Sequence, residues 1–212
     1  MAKNLEQCRV CRRAGTKLYL KGDRCFTPKC AIVKRNYAPG VHGAKRGGRP
    51  ARLTPYAIQL REKQKAKFYY GISEKQFRNY FEKAAIKVGD TPEFMLSMLE
   101  TRLDSVVYRL GWVWSRKDAR QLVSHGAILV NGRKVTIPSF HVRVGDRITV
   151  HPSKEKNTHF TQVLPGLEKH TVPAWLHSEK GSFGAKVVSL PKRPEDTVAI
   201  FDMKPIIEFY SR

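Results

Sequence analysis

Between Arg102 and Val150 the hydrophobic period of the chain switches from helical to alternating, which restricts this region to helices packed on a small sheet. Val106, Val107 and Leu110 continue a helical spacing, and Gly111 can end that helix in a left-handed conformation. Ser115 starts a second helix, and Asp118 makes a capping-box-like pair with it, tying down the free N–H groups of the first turn. Ala119, Leu122 and Val123 form its apolar side, Arg116, Lys117 and Arg120 its basic side, and Gly126 closes it. Ile128 and Val130 then run into Asn131-Gly132, a hairpin signal because both turn residues tolerate positive φ. Phe140, Val142 and Val144 alternate with His141 and Arg143, Gly145-Asp146 turns the chain, and Ile148 and Val150 alternate again. The expected product is two helices against a small antiparallel sheet, with Arg116, Arg120, His125 and Lys134 near one edge and Lys117 beside them on the helix's basic side as a further RNA-contact candidate. An ordinary α+β domain with a solvated basic rim fits the same pattern, and charge on one short helix does not displace that reading.

Charge over the whole chain does more. The 212 residues carry 40 Lys and Arg against 18 Asp and Glu, a formal net charge of +22, which calls for a polyanionic partner. Residues 1–52 concentrate it, with Glu6 and Asp23 their only acids. No 18-residue apolar run is present, so no membrane span is expected, and MAKNLEQCRVCRRAG lacks the apolar core of a secretory signal. The cations are spread over several segments instead of one amphipathic helix, which favours nucleic acid over a membrane surface.

All four cysteines lie near the N-terminus: Cys8 and Cys11, then Cys25 and Cys30. Two short Cys pairs separated by thirteen residues suit tetrahedral thiolate ligation of one zinc ion. Arg9, Arg12, Arg13, Lys17, Arg24 and Lys29 would offset the negative charge of four thiolates. Two disulfides or four free thiols are the alternatives, and without a secretory signal disulfides are disfavoured. Four Cys ligands leave no open position, so the expected zinc is structural.

Residues 34–52, KRNYAPGVHGAKRGGRPAR, read as a basic loop without core-forming residues. They match no phosphate-cradling loop, but Lys45, Arg46, Arg49 and Arg52 crowd together in them and suit phosphate contact. Thr54-Pro55 starts a helix that ends near Gly71, with Arg61 and Lys65 on one face. Ser73 and Gln76 cap the next, whose Phe77, Tyr80, Phe81, Ala84 and Val88 recur at helical spacing and read as core. Thr91-Pro92 starts a third helix, with Met95, Met98, Leu99 and Leu103 inward. After Val150 the periodicity weakens: residues 151–172 show little pattern, Trp175 reads as buried, Lys186–Leu190 as a strand, and the apolar end Ile206-Ile207-Phe209-Tyr210 needs burial.

The segments RLDSVVYRLG, SRKDARQLVSHGAILVNGRKV and VGDRITV closely resemble the RNA-binding module named after the fourth small-subunit ribosomal protein. GVHGAKRGG, LREKQKAKFYYGISEKQFRNYFEKA and EFYSR extend the resemblance over most of the chain, to the uS4 ribosomal protein family in its bacterial, four-cysteine zinc form. The resemblance implies an α+β chain: a cysteine-rich zinc-binding basic extension (1–45), and a helical rRNA-binding domain (46–101) on which the C-terminal 173–212 packs back. The RNA-binding module and a following loop (102–172) would be inserted between them. It further implies primary binding of 16S rRNA, nucleation of 5′-domain assembly, a share in decoding accuracy with ribosomal protein uS5, and contact with mRNA where it enters the subunit. No homo-oligomer is implied. The place of action would be a ribosome, in a bacterial cytoplasm or a chloroplast stroma.

Pseudouridine synthases carrying the same module are the competing class, and Arg102-Leu103-Asp104 matches the tripeptide holding their catalytic aspartate. In those enzymes it sits in a larger separate domain, whereas here it opens the module, and too few residues follow to build such a domain. Leu103 instead belongs to a core stripe, and Asp104 can serve as a first-turn helix acid. A DNA-binding regulator shares the charge but not the resemblance, and RNA-versus-DNA competition at matched salt separates the two.

Overall fold

Thr54 accepts a hydrogen bond from the Ala57 N–H at 3.2 Å, Pro55 holds the first helical position, and Gly71 ends the helix at φ +63°. These residues bound a sixteen-residue helix, α3 (Pro55–Tyr70). The computed structural model describes residues 6–40, 43, 53–167, 170–179, 181–192 and 200–211. Before α3 come α1 (Gln7–Ala14), a 3-10 turn (Gly22–Cys25) and α2 (Ala31–Lys34). After it come α4 (Glu74–Ala85), opened by the reciprocal Ser73–Gln76 capping box, and α5 (Thr91–Glu100). The chain divides into two compact units, Met1–Met95 with Glu195–Arg212, and Leu96–Pro194.

In the first unit the last helix of the chain, α10 (Lys204–Tyr210), packs on α3 and α4. Its Tyr210 ring stacks on Phe81 at 5.1 Å, Phe209 meets Tyr56, and Phe201 just before it meets Tyr69 and Tyr70 edge-on. The Gln59 amide donates to Glu208 at 2.8 Å. Burial of Ile206 and Phe201 answers the apolar demand of this terminus. The cysteine-bearing segment belongs to the same unit, with α1 against α3, so it is not a free-standing extension.

The second unit holds α6 (Leu103–Arg109), α7 (Arg116–Ser124), β1 (Ile128–Val130), β2 (Arg133–Lys134), β3 (Arg147–Val150), α8 (Pro152–Glu155), α9 (Thr158–Leu167), β4 (Leu176–Ser178) and β5 (Gly184–Val187). Its sheet is antiparallel throughout, in the order β2-β1-β3-β5-β4. Asn131 (φ +51°) and Gly132 (φ +77°) make the tight β1–β2 turn that their sequence predicts. One core joins α6, α7 and the sheet: Val106, Val107, Leu110, Trp112, Ala119, Val123, Ile128, Ile148, Phe160 and Val187 are all buried in it.

Five expectations are corrected, the first being Val88, which lies beyond the end of α4 and is almost wholly exposed instead of joining its core. The helical spacing leading into Val106 is not one helix: α5 stops at Glu100 and α6 restarts at Leu103, with Arg102 extended between them. Phe140, Val142 and Val144 form no strand; Leu103 and Asp104 donate their free first-turn N–H groups to the Phe140 and Pro138 carbonyls, so this segment caps α6. The stretch expected as a loop after Val150 is helical in much of its described part, because α8 and α9 lie there and Phe160 is fully buried. The stretch from residue 173 onward does not all return to the first unit. Residues 176–187 form β4 and β5, and β5 pairs with β3, placing Ala185 opposite Ile148. Periodicity cannot report such pairing, since the partner strand lies far away in sequence.

Candidate nucleic-acid interface

Helix α7 carries the densest group of predicted contacts. Ser115 caps it by accepting from the Asp118 N–H at 3.3 Å, and its hydroxyl donates to the Asp118 carboxylate at 2.7 Å. Ala119 and Val123 are buried and Leu122 packs on the core, so the opposite side must face outward. Lys117 and His125 are exposed there, and across the hairpin Arg133 and Lys134 are exposed on β2. Gly126, at φ +66°, joins helix to hairpin; a Cβ on it would overlap the end of the Lys134 side chain, so the missing side chain leaves room for Lys134 beside the end of α7.

Two members of the predicted face have other work. Arg116 is largely buried: its guanidinium lies 4.3 Å from the centre of the Tyr108 ring and 3.5 Å from the Glu100 carboxylate. Arg109 grips the same carboxylate through two bonds at 2.8 and 2.9 Å. Arg120 reaches Asp104 at 3.3 Å, and Arg102 holds Asp104 with bonds of 3.0 and 2.6 Å. Thus Glu100, fully buried, and Asp104, nearly so, each bind an arginine of α7 from beneath. Arg116 is a structural cation in this arrangement, while Arg120, a third exposed, keeps part of its guanidinium at the surface. The Asp104 carboxylate also accepts from the Ser105 N–H at 2.9 Å, the bonding of a first-turn helix acid.

Sequence reasoning missed a row on the open face of the sheet. His177, Lys186 and Arg147 are cross-strand neighbours on β4, β5 and β3, and all three are exposed. Like charges placed opposite each other, as Lys186 and Arg147 are, repel, and among the described residues Arg147 is the one of the three bonded to an acid, Glu179 at 2.8 Å. The row was invisible because two of its strands were not expected to join this sheet.

In the first unit Arg61 is exposed on α3, but Lys65 is bonded to Glu62 at 2.7 Å with little surface left. Lys45, Arg46, Arg49 and Arg52 lie outside the described residues. The four cysteines are free thiols; Cys11, Cys25 and Cys30 are buried and Cys8 is partly exposed. Burial pushes the Cys11 thiol up, the Leu18 backbone opposes this, and Cys25, Cys8 and Cys30 raise it further. Burial likewise raises Cys25, against the Lys21 N–H that donates to its Sγ at 3.4 Å. The four sulfurs therefore sense one another, and as a donor set they suit a closed thiolate shell. Among the described residues, however, no three His, Cys, Asp or Glu side chains are gathered closely enough to hold a metal ion, so this arrangement does not itself form that shell. No described helix is long and apolar enough to cross a membrane.

Comparison with known proteins supplies the family. The Ribosomal protein S4/S9 N-terminal domain profile matches residues 4–100, and the S4 domain profile matches residues 101–148. The chain is 51% identical to small ribosomal subunit protein uS4 of Koribacter versatilis over 205 residues, which cover 97% of this chain and 96% of that protein. This chain belongs to the uS4 family of small ribosomal subunit proteins. The corresponding proteins of Thermus thermophilus and Halothermothrix orenii are 50% and 53% identical over the same shares of both chains. Family membership sets the pseudouridine synthase reading aside: residues 4–100 match the N-terminal domain of the ribosomal family, and the proteins that match nearly end to end carry its name. Within the matched S4 domain lie α7 and the β1–β2 hairpin, the elements that carry Lys117, Arg120, His125, Arg133 and Lys134.

Proposed function

We propose that this protein is a structural constituent of the small ribosomal subunit, acting in the cytoplasm of a bacterium. There it binds 16S rRNA early in assembly of the 5′ domain. Near-complete alignment with bacterial uS4 proteins at about half identity carries the reading. The exposed cations of α7, β2 and the sheet face support it physically, because phosphate contacts supply affinity while RNA shape supplies most of the selectivity. Lys117, Arg120, His125, Lys134 and Arg61 are the side chains assigned to RNA, with Lys186 and Arg147 added from the sheet. Association with uS5, a contribution to decoding accuracy and contact of Lys45, Arg46, Arg49 and Arg52 with incoming mRNA belong to the same proposal, as does action as a single copy. Chemical footprinting of purified 16S rRNA tests it: protection should concentrate in the 5′ domain and survive competition by duplex DNA at matched salt. Protection spread evenly over the RNA would refute specific binding.

We infer also that Cys8, Cys11, Cys25 and Cys30 hold one structural zinc ion, supported by the four-thiol donor set and its basic surroundings. Zinc would supply a cross-link between α1 and the 3-10 turn, and no chemistry. Native mass spectrometry should find one zinc per chain, lost in Cys8→Ser or Cys25→Ser. A metal-free wild-type protein purified without chelator would exclude it.

A further inference from the structure

Phe26 follows the 3-10 turn and leaves 72% of its surface exposed. Its ring is stacked on Tyr19, with centroids 5.1 Å apart and planes 28° from parallel. Tyr19 adopts φ +51°, a left-handed backbone that a large side chain resists. Burial does not explain this pair, because an aromatic that remains mostly in water returns little hydrophobic stabilisation. Strain of this kind on Tyr19, which is only half-buried and supports an exposed ring, points toward a use outside the core. Lys21, Arg24 and Lys29 are exposed on the same short stretch of chain, and Asp23 is its only acid. The platform is also held in place: the Phe26 N–H donates to the Asp23 carbonyl at 3.0 Å, and the Lys21 N–H donates to Cys25. An open aromatic face with exposed cations on neighbouring residues is the combination by which proteins receive an unpaired nucleobase, the ring stacking on the base and the cations meeting its phosphates.

We propose that Phe26, backed by Tyr19, is a stacking platform for one unpaired base of the bound RNA, with Lys21, Arg24 and Lys29 on the flanking phosphates. The proposal rests on the rRNA-binding reading. It adds a single-strand site on the cysteine-bearing segment, built from residues other than those of α7 and the hairpin. Stacking releases no counterions, whereas phosphate contacts do, so the two parts of the site separate experimentally.

The test measures binding of purified 16S rRNA by the full chain across a salt series, for wild type, Phe26→Ala, Phe26→Leu, Phe26→Trp and Arg24→Ala. Phe26→Ala and Phe26→Leu should bind roughly 5- to 150-fold more weakly with an unchanged salt slope. Phe26→Trp should retain wild-type affinity, and its added fluorescence should be quenched when RNA binds. Arg24→Ala should flatten the slope by about 0.7–0.9. Wild-type affinity in Phe26→Leu, or tryptophan fluorescence at position 26 indifferent to RNA, would overturn the platform while leaving rRNA binding intact. So would a loss in Phe26→Leu that tracks a fall in Tm. Failure of the wild-type chain to bind 16S rRNA would overturn both readings.

Discussion

Arg116 and Lys117 are adjacent cations on one helix with different fates, and the carboxylates beneath them are the cause. Glu100 is fully buried and shared by Arg109 and Arg116, so removing it would leave two guanidiniums without their common acceptor. Breaking a buried pair from one side typically costs about 3–5 kcal/mol. Glu100→Ala should lower stability by about that much, read as a shifted urea midpoint with an unchanged slope. Arg116→Ala should lower Tm as well, because it also removes the cation over the Tyr108 ring. Lys117→Ala should leave Tm in place and flatten the salt dependence of rRNA binding by about 0.7–0.9, the signature of one lost phosphate contact. Equal behaviour of the two variants in both measurements would show that burial does not divide them. The sequence placed both on one basic face, and of the two only Lys117 is exposed. It could not show that Arg116 turns inward, because its acceptor lies two helices back and its aromatic partner one helix back.

At the scale of elements, a single carboxylate ties α10 to both α3 and α4. Glu74, at the first turn of α4, accepts from Lys63 at 2.7 Å, Lys67 at 3.0 Å and the Tyr210 hydroxyl at 2.7 Å. Lys63 also lies 4.4 Å from the centre of the Phe209 ring, so the same group joins three helices. Burial alone would raise the Glu74 pKa, but Lys63, Tyr210 and Lys67 together hold it at about 2, against an ordinary 4.5. A depressed acid contributes its stability above its unfolded pKa and loses it as pH falls through the folded one. Protection of the α10 amides from hydrogen exchange should therefore be full near neutrality and decline between about pH 4.5 and 2. Glu74→Gln should start less protected and lose the pH dependence over that range; an unchanged profile would remove Glu74 as the anchor. Burial and the bond to Glu74 push the Tyr210 phenol up, so its ionisation should be missing from an alkaline absorbance titration of the folded chain. Elements with local signals were legible in advance: the caps at Thr54, Ser73 and Ser115 and the Asn131-Gly132 turn specify their ends within four residues. Elements defined by distant partners were not. Phe140 and Pro138 supply carbonyls to α6, Phe160 reads as helical core only once the sheet exists, and β5 needs β3.

For the molecule as a whole, the charge of +22 is the strongest constraint, and its partner is a polyanion larger than any one site. Lys45, Arg46, Arg49 and Arg52 matter most for dividing that charge between functions, because they stand together in the Gly-rich stretch before α3. Cations that hold rRNA and cations that attend a passing message leave different traces. Each rRNA phosphate contact adds about 0.7–0.9 to the salt slope, so losing four such contacts would flatten it by about 3. Cations for a moving single strand contribute nothing to the slope of rRNA binding, since their phosphates belong to another molecule. On the proposed mRNA role, replacing all four with Ala should leave the affinity and salt slope for purified 16S rRNA unchanged and allow small subunits to assemble. Ribosomes built from those subunits should then slow on messages with a stable hairpin downstream and read unstructured messages at near-normal rates. A slope flattened by about 3, with both kinds of message affected alike, would assign the four cations to rRNA and remove the contact with mRNA.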